Sequence, residues 1–302
     1  MLFFSSMRPI GFGQHVDVAG RSLWLHRSGT GAPAVVFLPG SGMVGLDYLK
    51  VHERVAALTT SVLYDRSGTG WSDDIALPRT AHEVTDELRD LLYAADIPAP
   101  YVLVGHSLGG AYARRYAQRF PRDVAGLVLL EPAHEDWDTF MPERLRLSNT
   151  RPSDAPMPEP TPEIVVHVRQ LFTRMLAAWP DLLREQLIDR HTSPAGLLAG
   201  LREGSNMHAV LSELRAGGTL PDAPVTVLGA TSFDPGQRMF QSDADLQEQI
   251  DATQRLFKAI AADGPQGEYR CLKDASHTTI PMDRPDAVAD AVTDLLKRQA
   301  RI

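Results

Sequence analysis

Short apolar runs alternate with helix-patterned stretches along most of this chain, and no other feature narrows its possible folds so far. The runs are Val35-Val36-Phe37-Leu38, Ser61-Val62-Leu63-Tyr64, Tyr101-Val102-Leu103-Val104, Ala125-Gly126-Leu127-Val128-Leu129-Leu130, Val225-Thr226-Val227-Leu228 and Tyr269-Arg270-Cys271-Leu272. Most are nearly continuous in apolar side chains, as strands buried on both faces are. A helical stretch ending near Leu58 follows the first. After the second, Thr80-Ala81-His82-Glu83 reads as a capping box, with Val84, Leu88, Leu91 and Leu92 on one face of the helix it opens. After the third, residues 108–119 form a helical pattern stopped by Pro121, and another pattern over 285–298 closes the chain. This alternation predicts an α/β fold, a parallel sheet with helices on both faces. His15-Val16-Asp17-Val18 and Ser22-Leu23-Trp24-Leu25, joined by Ala19-Gly20-Arg21, predict a hairpin and an antiparallel start to the sheet.

The alternation breaks between residues 134 and 216. Helical patterns lie around 164–179, 182–189 and 195–214, with no convincing strand. Pro152, Pro156, Pro158, Pro160 and Pro162 mark an extended surface loop. The expected organisation is a core over residues 1–133, an inserted helical cap over 134–215, and the rest of the core over 216–302. Residues 1–12 read as a loose terminal segment: Met1-Leu2-Phe3-Phe4 has no basic region before it and no long apolar run after it.

A chain of 302 residues is long enough to bury a core without disulfides or metals. Its net charge of −8 argues against nucleic acid or an anionic membrane as the main partner, since both demand clustered positive charge. No apolar run reaches the length of a membrane span. The single cysteine, Cys271, excludes an internal disulfide and any multi-cysteine metal site, and is compatible with a reducing cytoplasm. No His-Glu-x-x-His occurs, so no zinc site is expected.

The chemistry concentrates at Gly105-His106-Ser107-Leu108-Gly109, followed by Gly110. The pentapeptide G-x-S-x-G alone is not a strong signal. Here it sits directly after a predicted strand and directly before a predicted helix, the context in which it exposes a serine at the apex of a tight turn. The new helix then offers backbone N–H groups to an oxyanion. A serine hydroxyl is a weak nucleophile until a base takes its proton. Of ten histidines, His277 is the best placed, in the loop Asp274-Ala275-Ser276-His277-Thr278 between the last strand and the last helix. A second oxyanion donor is expected from the glycine-rich loop Pro39-Gly40-Ser41-Gly42, so the donors read as Ser41 N–H and Leu108 N–H.

The elbow GHSLGG, the loop LPGSG, the segment from Asp65 to Asp73 (DRSGTGWSD) and the terminal Ala275-Ser276-His277 together resemble the α/β-hydrolase superfamily. The resemblance covers residues 15–133 and 216–302 and leaves out the cap. It implies a mostly parallel eight-stranded sheet, a helical lid after the sixth strand, and acyl-enzyme hydrolysis by a Ser–His–acid triad without a cofactor. Members with aspartate at the elbow form alkyl-enzyme esters; Ser107 disfavours those activities. The oxyanion loop departs from the family's common His-Gly start by reading Pro39-Gly40. The family places its acid either after the seventh strand, where Asp234 stands, or at the end of the sixth, where Glu131 stands. Glu131 is the first choice, because a carboxylate ending a buried strand needs a partner.

Two rival readings come from the same residues. Gly40-Ser41-Gly42-Met43-Val44-Gly45, with Asp65 ending the next strand, approaches a dinucleotide fingerprint and would suit an NAD-dependent oxidoreductase. A ligand sensor on the hydrolase fold is the other. In the cap, Trp137, Phe172 and Trp179, with Phe140, Met175 and Met207, are candidates for a substrate pocket. The expected activity is hydrolysis of a small hydrophobic carboxylic ester or lactone. Amide, peptide or carbon–carbon bonds remain alternatives on the same triad.

Overall fold

The computed structural model describes residues 11–149, 160–264 and 266–299. Most of the terminal segment 1–12 and most of the proline-dense loop lie outside the described residues. The sheet has eight strands: β1 (Gln14–Val18), β2 (Arg21–Ser28), β3 (Ala34–Leu38), β4 (Ser61–Tyr64), β5 (Tyr101–His106), β6 (Val124–Leu130), β7 (Val225–Ala230) and β8 (Gly267–Leu272). Their spatial order is β1-β2-β4-β3-β5-β6-β7-β8. The predicted hairpin pairs β1 with β2, and β2 runs antiparallel to β4; every other pairing is parallel.

The helices are α1 (Leu49–Ala56), α2 (Ala81–Ala94), α3 (Leu108–Arg119), α4 (Trp137–Phe140), α5 (Pro162–Met175), α6 (Asp181–Thr192), α7 (Pro194–Ser205), α8 (Met207–Ala216), α9 (Asp243–Ala262), α10 (Ile280–Asp283) and α11 (Pro285–Gln299). The capping box of α2 forms as predicted, with Thr80 Oγ1 accepting from Glu83 N–H and the Glu83 carboxylate accepting from Thr80 N–H.

Side chains of β3 alternate between the two faces, as the two-residue period of a strand requires. Ala34, Val36 and Leu38 pack with α2, α3, α8 and α9; Val35 and Phe37 pack with α1, α5, α6 and α11. Between β6 and β7 the described residues hold α4 to α8 and no strand. The single helix expected over 195–214 is two, broken at Asn206, which precedes α8 without capping it through its side chain. The twenty-residue α9 has no counterpart among the predicted elements. Ser242 caps it, and Leu246, Leu256, Phe257 and Ile260 bury one side of it against the sheet.

The parallel strands all point their carboxyl ends to one edge, and β5 lies between β3 and β6. The chain segments leaving β3, β5, β6, β7 and β8 therefore converge there, as ligand sites do in open α/β sheets.

Candidate active site

Ser107 joins β5 to α3 with φ 52° and ψ −119°, a conformation that L-residues rarely adopt. The turn is possible because its neighbours lack side chains. A Cβ on Gly105 would lie 2.6 Å from Gly109 O, and one on Gly109 would lie 2.0 Å from Leu38 O. Ser107 N–H donates to Leu130 O at 3.0 Å, and Ser107 O accepts from Ala133 N–H at 3.0 Å, so the end of β6 and the segment just after it hold the strained residue.

His277 reaches back to it. Its Nε2 is 3.1 Å from Ser107 Oγ, and its Nδ1 is 3.0 Å from Glu131 Oε2. A carboxylate only accepts, so Nδ1–H donates to Glu131 and Nε2 accepts from the serine hydroxyl. The second Glu131 oxygen accepts from Ala230 N–H at 2.7 Å, on the neighbouring strand. Glu131 itself has φ 44°, the second left-handed residue of the site. Burial works against the protonated His277 ring, but the hydrogen bond and charge of Glu131, with the charge of Asp234, outweigh it and hold its pKa above the ordinary 6.5.

Asp234, the other candidate acid, makes no hydrogen bond to the His277 ring among the described residues. Its carboxylate accepts from Thr278 N–H at 2.7 Å, Gly236 N–H and Gln237 N–H at 2.9 Å, and Ser276 Oγ at 3.1 Å. It therefore ties the loop after β7 to the residues on either side of His277. Burial alone would raise its pKa; the His277 charge and the backbone donors hold it below the usual aspartate value.

His106 has a place that the sequence does not signal. Burial and the neighbouring His277 push its pKa down to about 3, so the ring is neutral. Its Nε2–H donates to His277 O at 2.8 Å, which leaves Nδ1 to accept from Tyr48 Oη–H at 2.7 Å; that hydroxyl accepts in turn from Gly40 N–H at 3.2 Å. One neutral imidazole thus links the loop after β3 to the backbone of His277.

That loop abuts the serine: a Cβ on Gly40 would lie 3.4 Å from Ser107 Cβ. Neither Ser41 N–H nor Leu108 N–H has a hydrogen-bond partner among the described residues. The glycine run ends in a short 3-10 turn at Gly45–Tyr48, not in an α-helix. Asp65 is fully buried, accepting from Gly45 N–H at 2.7 Å and Trp71 N–H at 2.8 Å. Its oxygens brace two turns and are not presented to a ribose, which removes the basis of the dinucleotide reading.

Ser107, Glu131 and His277 open into a cleft of about 350 Å3. Its apolar lining is Ala133, Trp137, Leu145, Leu147, Met207 and Phe257; its polar lining is His134, Arg144, Arg146, Asn149, Gln237, Gln241, Gln249 and Thr253. The cleft is more polar than the sequence suggested: four of its polar lining residues come from the segment after β6, and the other four from α9 and the turn before it, which the sequence did not announce.

Of the pocket candidates, Trp137 lines the cleft and Phe172 and Trp179 do not. The Phe172 ring stacks on His191 with centroids 3.8 Å apart, and Trp179 Nε1–H donates to Leu46 O at 2.9 Å. Both are buried against the loop between β3 and α1, where they fix α5 and α6 to the core. An apolar stripe on a helix marks a buried face but does not say whether the face meets core or cavity. Phe172→Ala is accordingly expected to lower unfolding free energy by about 3–5 kcal/mol while leaving acyl-chain preference unchanged. Trp137→Ala is expected to change that preference, with a smaller loss of stability because Trp137 is only half-buried. Chemical denaturation and a series of graded p-nitrophenyl esters check the pair.

A model of the alpha/beta hydrolase family matches residues 35–291 of the chain. Over 128 residues the chain is 35% identical to the uncharacterised protein YqjL of Bacillus subtilis (strain 168), covering 42% of this chain and 51% of that one. It is 39% identical over 109 residues to the pimeloyl-[acyl-carrier protein] methyl ester esterase of Chromobacterium violaceum, covering 36% of this chain and 40% of that one. The chain thus spans about half, or less, of these curated relatives. Among solved structures, Est816, described as an N-acyl homoserine lactone degrading enzyme, aligns with a TM-score of 0.60 at 19% identity, covering 93% of this chain and 99% of that one. At that identity the likeness is one of fold. No helix among the described residues is long and apolar enough to cross a membrane.

Proposed function

The chain belongs to the alpha/beta hydrolase family, and from that premise we propose that it is a serine hydrolase cleaving a small carboxylic ester or lactone through an acyl-enzyme. The observation that carries this reading is the unbroken line Ser107 Oγ–His277 Nε2 and His277 Nδ1–Glu131 Oε2, at 3.1 and 3.0 Å, opening on a cleft. In this reading Ser107 Oγ attacks the substrate carbonyl carbon and its proton passes to His277 Nε2. Glu131 stabilises the resulting imidazolium. Ser41 N–H and Leu108 N–H receive the negative charge that develops on the carbonyl oxygen. The imidazolium then protonates the departing alcohol, and water activated by His277 releases the acid and restores Ser107. A lactone follows the same steps, its alcohol remaining tethered to the acid.

The cleft volume lies near the lower end for small-molecule sites, which supports a small substrate. Its mixed lining favours an acyl group with an apolar portion and a polar group able to meet the glutamines and Asn149. The test is a fluorophosphonate probe followed by peptide mass spectrometry, with a panel of p-nitrophenyl esters and lactones. Ser107 alone should carry the label. Label on another residue, or none, would sink the reading.

The pH dependence has a definite sign. His277 accepts a proton only when neutral, so acylation rises as pH passes upward through its pKa. Because the Glu131 contact holds that pKa above 6.5, the midpoint of kcat/KM against pH is expected above 6.5. A midpoint well below it in pre-steady-state acylation would mean that Glu131 does not act on the ring.

A further inference from the structure

We propose that Arg66 and Glu203 are positioning residues for the oxyanion loop, so that α7 of the inserted helical region helps to aim the Ser41 N–H. The inference rests on the serine-hydrolase reading above. The Arg66 and Glu203 side chains are 1% and 4% exposed. Arg66 Nε and Nη2 donate to the two Glu203 carboxylate oxygens at 2.8 and 3.1 Å. The remaining donors turn to the loop: Nη1 to Pro39 O at 2.7 Å and Nη2 to Gly40 O at 3.0 Å. Glu203 Oε2 also accepts from Gly42 N–H at 3.2 Å, and Ser41 Oγ donates to Gly200 O at 2.7 Å, both partners lying on α7.

The peptide between Gly40 and Ser41 is trans, and in a planar trans peptide the C=O and N–H point opposite ways. Fixing Gly40 O on the Arg66 guanidinium therefore fixes the direction of Ser41 N–H, on the side away from Arg66. Carbonyls at 39 and 40 and the N–H at 42 are all held by one ion pair, and the free N–H at 41 is the group left over. A buried ion pair contributes little net stability once desolvation is counted. What this one does contribute is a rigid frame around the donor. α7 also lies directly on the loop: a Cβ on Gly200 would come within 2.9 Å of Gly42 Cα.

The experiment compares Glu203→Gln and Gly200→Ala with wild type. The readouts are kcat and KM for p-nitrophenyl acetate, the affinity of an aryl trifluoromethyl ketone, which forms a tetrahedral adduct on Ser107, and fluorophosphonate labelling. Glutamine keeps the shape of Glu203 but has only one oxygen with which to hold both Arg66 and Gly42 N–H. Alanine at 200 leaves both charged partners in place and suits a helix better than glycine, so a wedge between α7 and the loop is its main effect. Each variant should lose about 10- to 100-fold in kcat, less than the 10²–10³ for deleting an oxyanion donor outright. KM should stay within about 2-fold, and ketone affinity should fall in step with kcat.

Should Glu203→Gln fail to fold, Gly200→Ala carries the test. A wild type labelled at Ser107, with kcat and ketone affinity unchanged in the folded variants, overturns this proposal alone. So does a loss confined to KM. A wild type that takes no label overturns the serine-hydrolase reading and this proposal with it.

Discussion

Ser107→Ala is expected to lower kcat by on the order of 10⁶, the scale on which a serine nucleophile contributes when its base and oxyanion donors remain. The residual rate comes from binding and from the oxyanion donors, which act on a water attack poorly placed to use them. The protein should remain folded. Alanine at φ 52° is as strained as serine there, and among the described residues the only side-chain bond lost is the one to His277 Nε2, part of whose ring already faces the cleft. Thermal unfolding should move little, which separates this outcome from a variant that has collapsed. Burst titration of the wild type with a p-nitrophenyl ester supplies the active-site concentration that makes the comparison meaningful. Turnover retained in Ser107→Ala at above a thousandth of wild type would place the nucleophile elsewhere.

The strands could be read because β3 to β7 are buried on both faces, and burial on both faces leaves a continuous apolar run. The elbow could be read because a Cβ on Gly105 or Gly109 would meet a backbone oxygen at 2.6 or 2.0 Å, so the pattern follows from steric necessity. Three features were less legible, for different reasons. α9 has a clear cap at Ser242, but its surface is mostly polar and its apolar side is spread thinly over twenty residues. With it went the glutamine-lined wall of the cleft. Phe172 and Trp179 had the right residue types in the right helical region, yet which surface a helix face meets depends on how α5 docks, and that is set by partners at Leu46 and His191. Arg66 and Glu203 stand 137 residues apart, and no local pattern announces a pair that forms only when α7 settles on the loop after β3. The proposed Ser107, His277 and Glu131 line lies between these cases. Ser107 and His277 follow from turn position, whereas the two candidate acids came from where related chains place one, and Glu131 was preferred to Asp234 because a carboxylate ending a buried strand needs a partner.

Glu131→Gln is expected to lower kcat by on the order of 10⁴, as in other triads where the acid becomes an amide. One Glu131 oxygen is 2.7 Å from Ala230 N–H, a donor fixed in β7 that accepts no substitute but an oxygen. In the variant the glutamine carbonyl must stay there, which turns its NH2 toward His277 Nδ1. Nδ1 then has to accept, the ring proton moves to Nε2, and the nitrogen facing Ser107 can no longer take the serine proton. The midpoint of the pH profile should also fall, since the charge and hydrogen bond that raise the His277 pKa are gone. Asp234→Asn serves as the comparison. Its carboxylate braces Thr278, Ser276, Gly236 and Gln237 without a hydrogen bond to the ring, so an amide there should cost about 10-fold or less, through a loosened loop. Steady-state rates on one ester, with both pH profiles, decide between them. If Asp234→Asn is the more damaging and shifts the midpoint further, the acid lies after β7 and Glu131 is a strand-end carboxylate tied to Ala230.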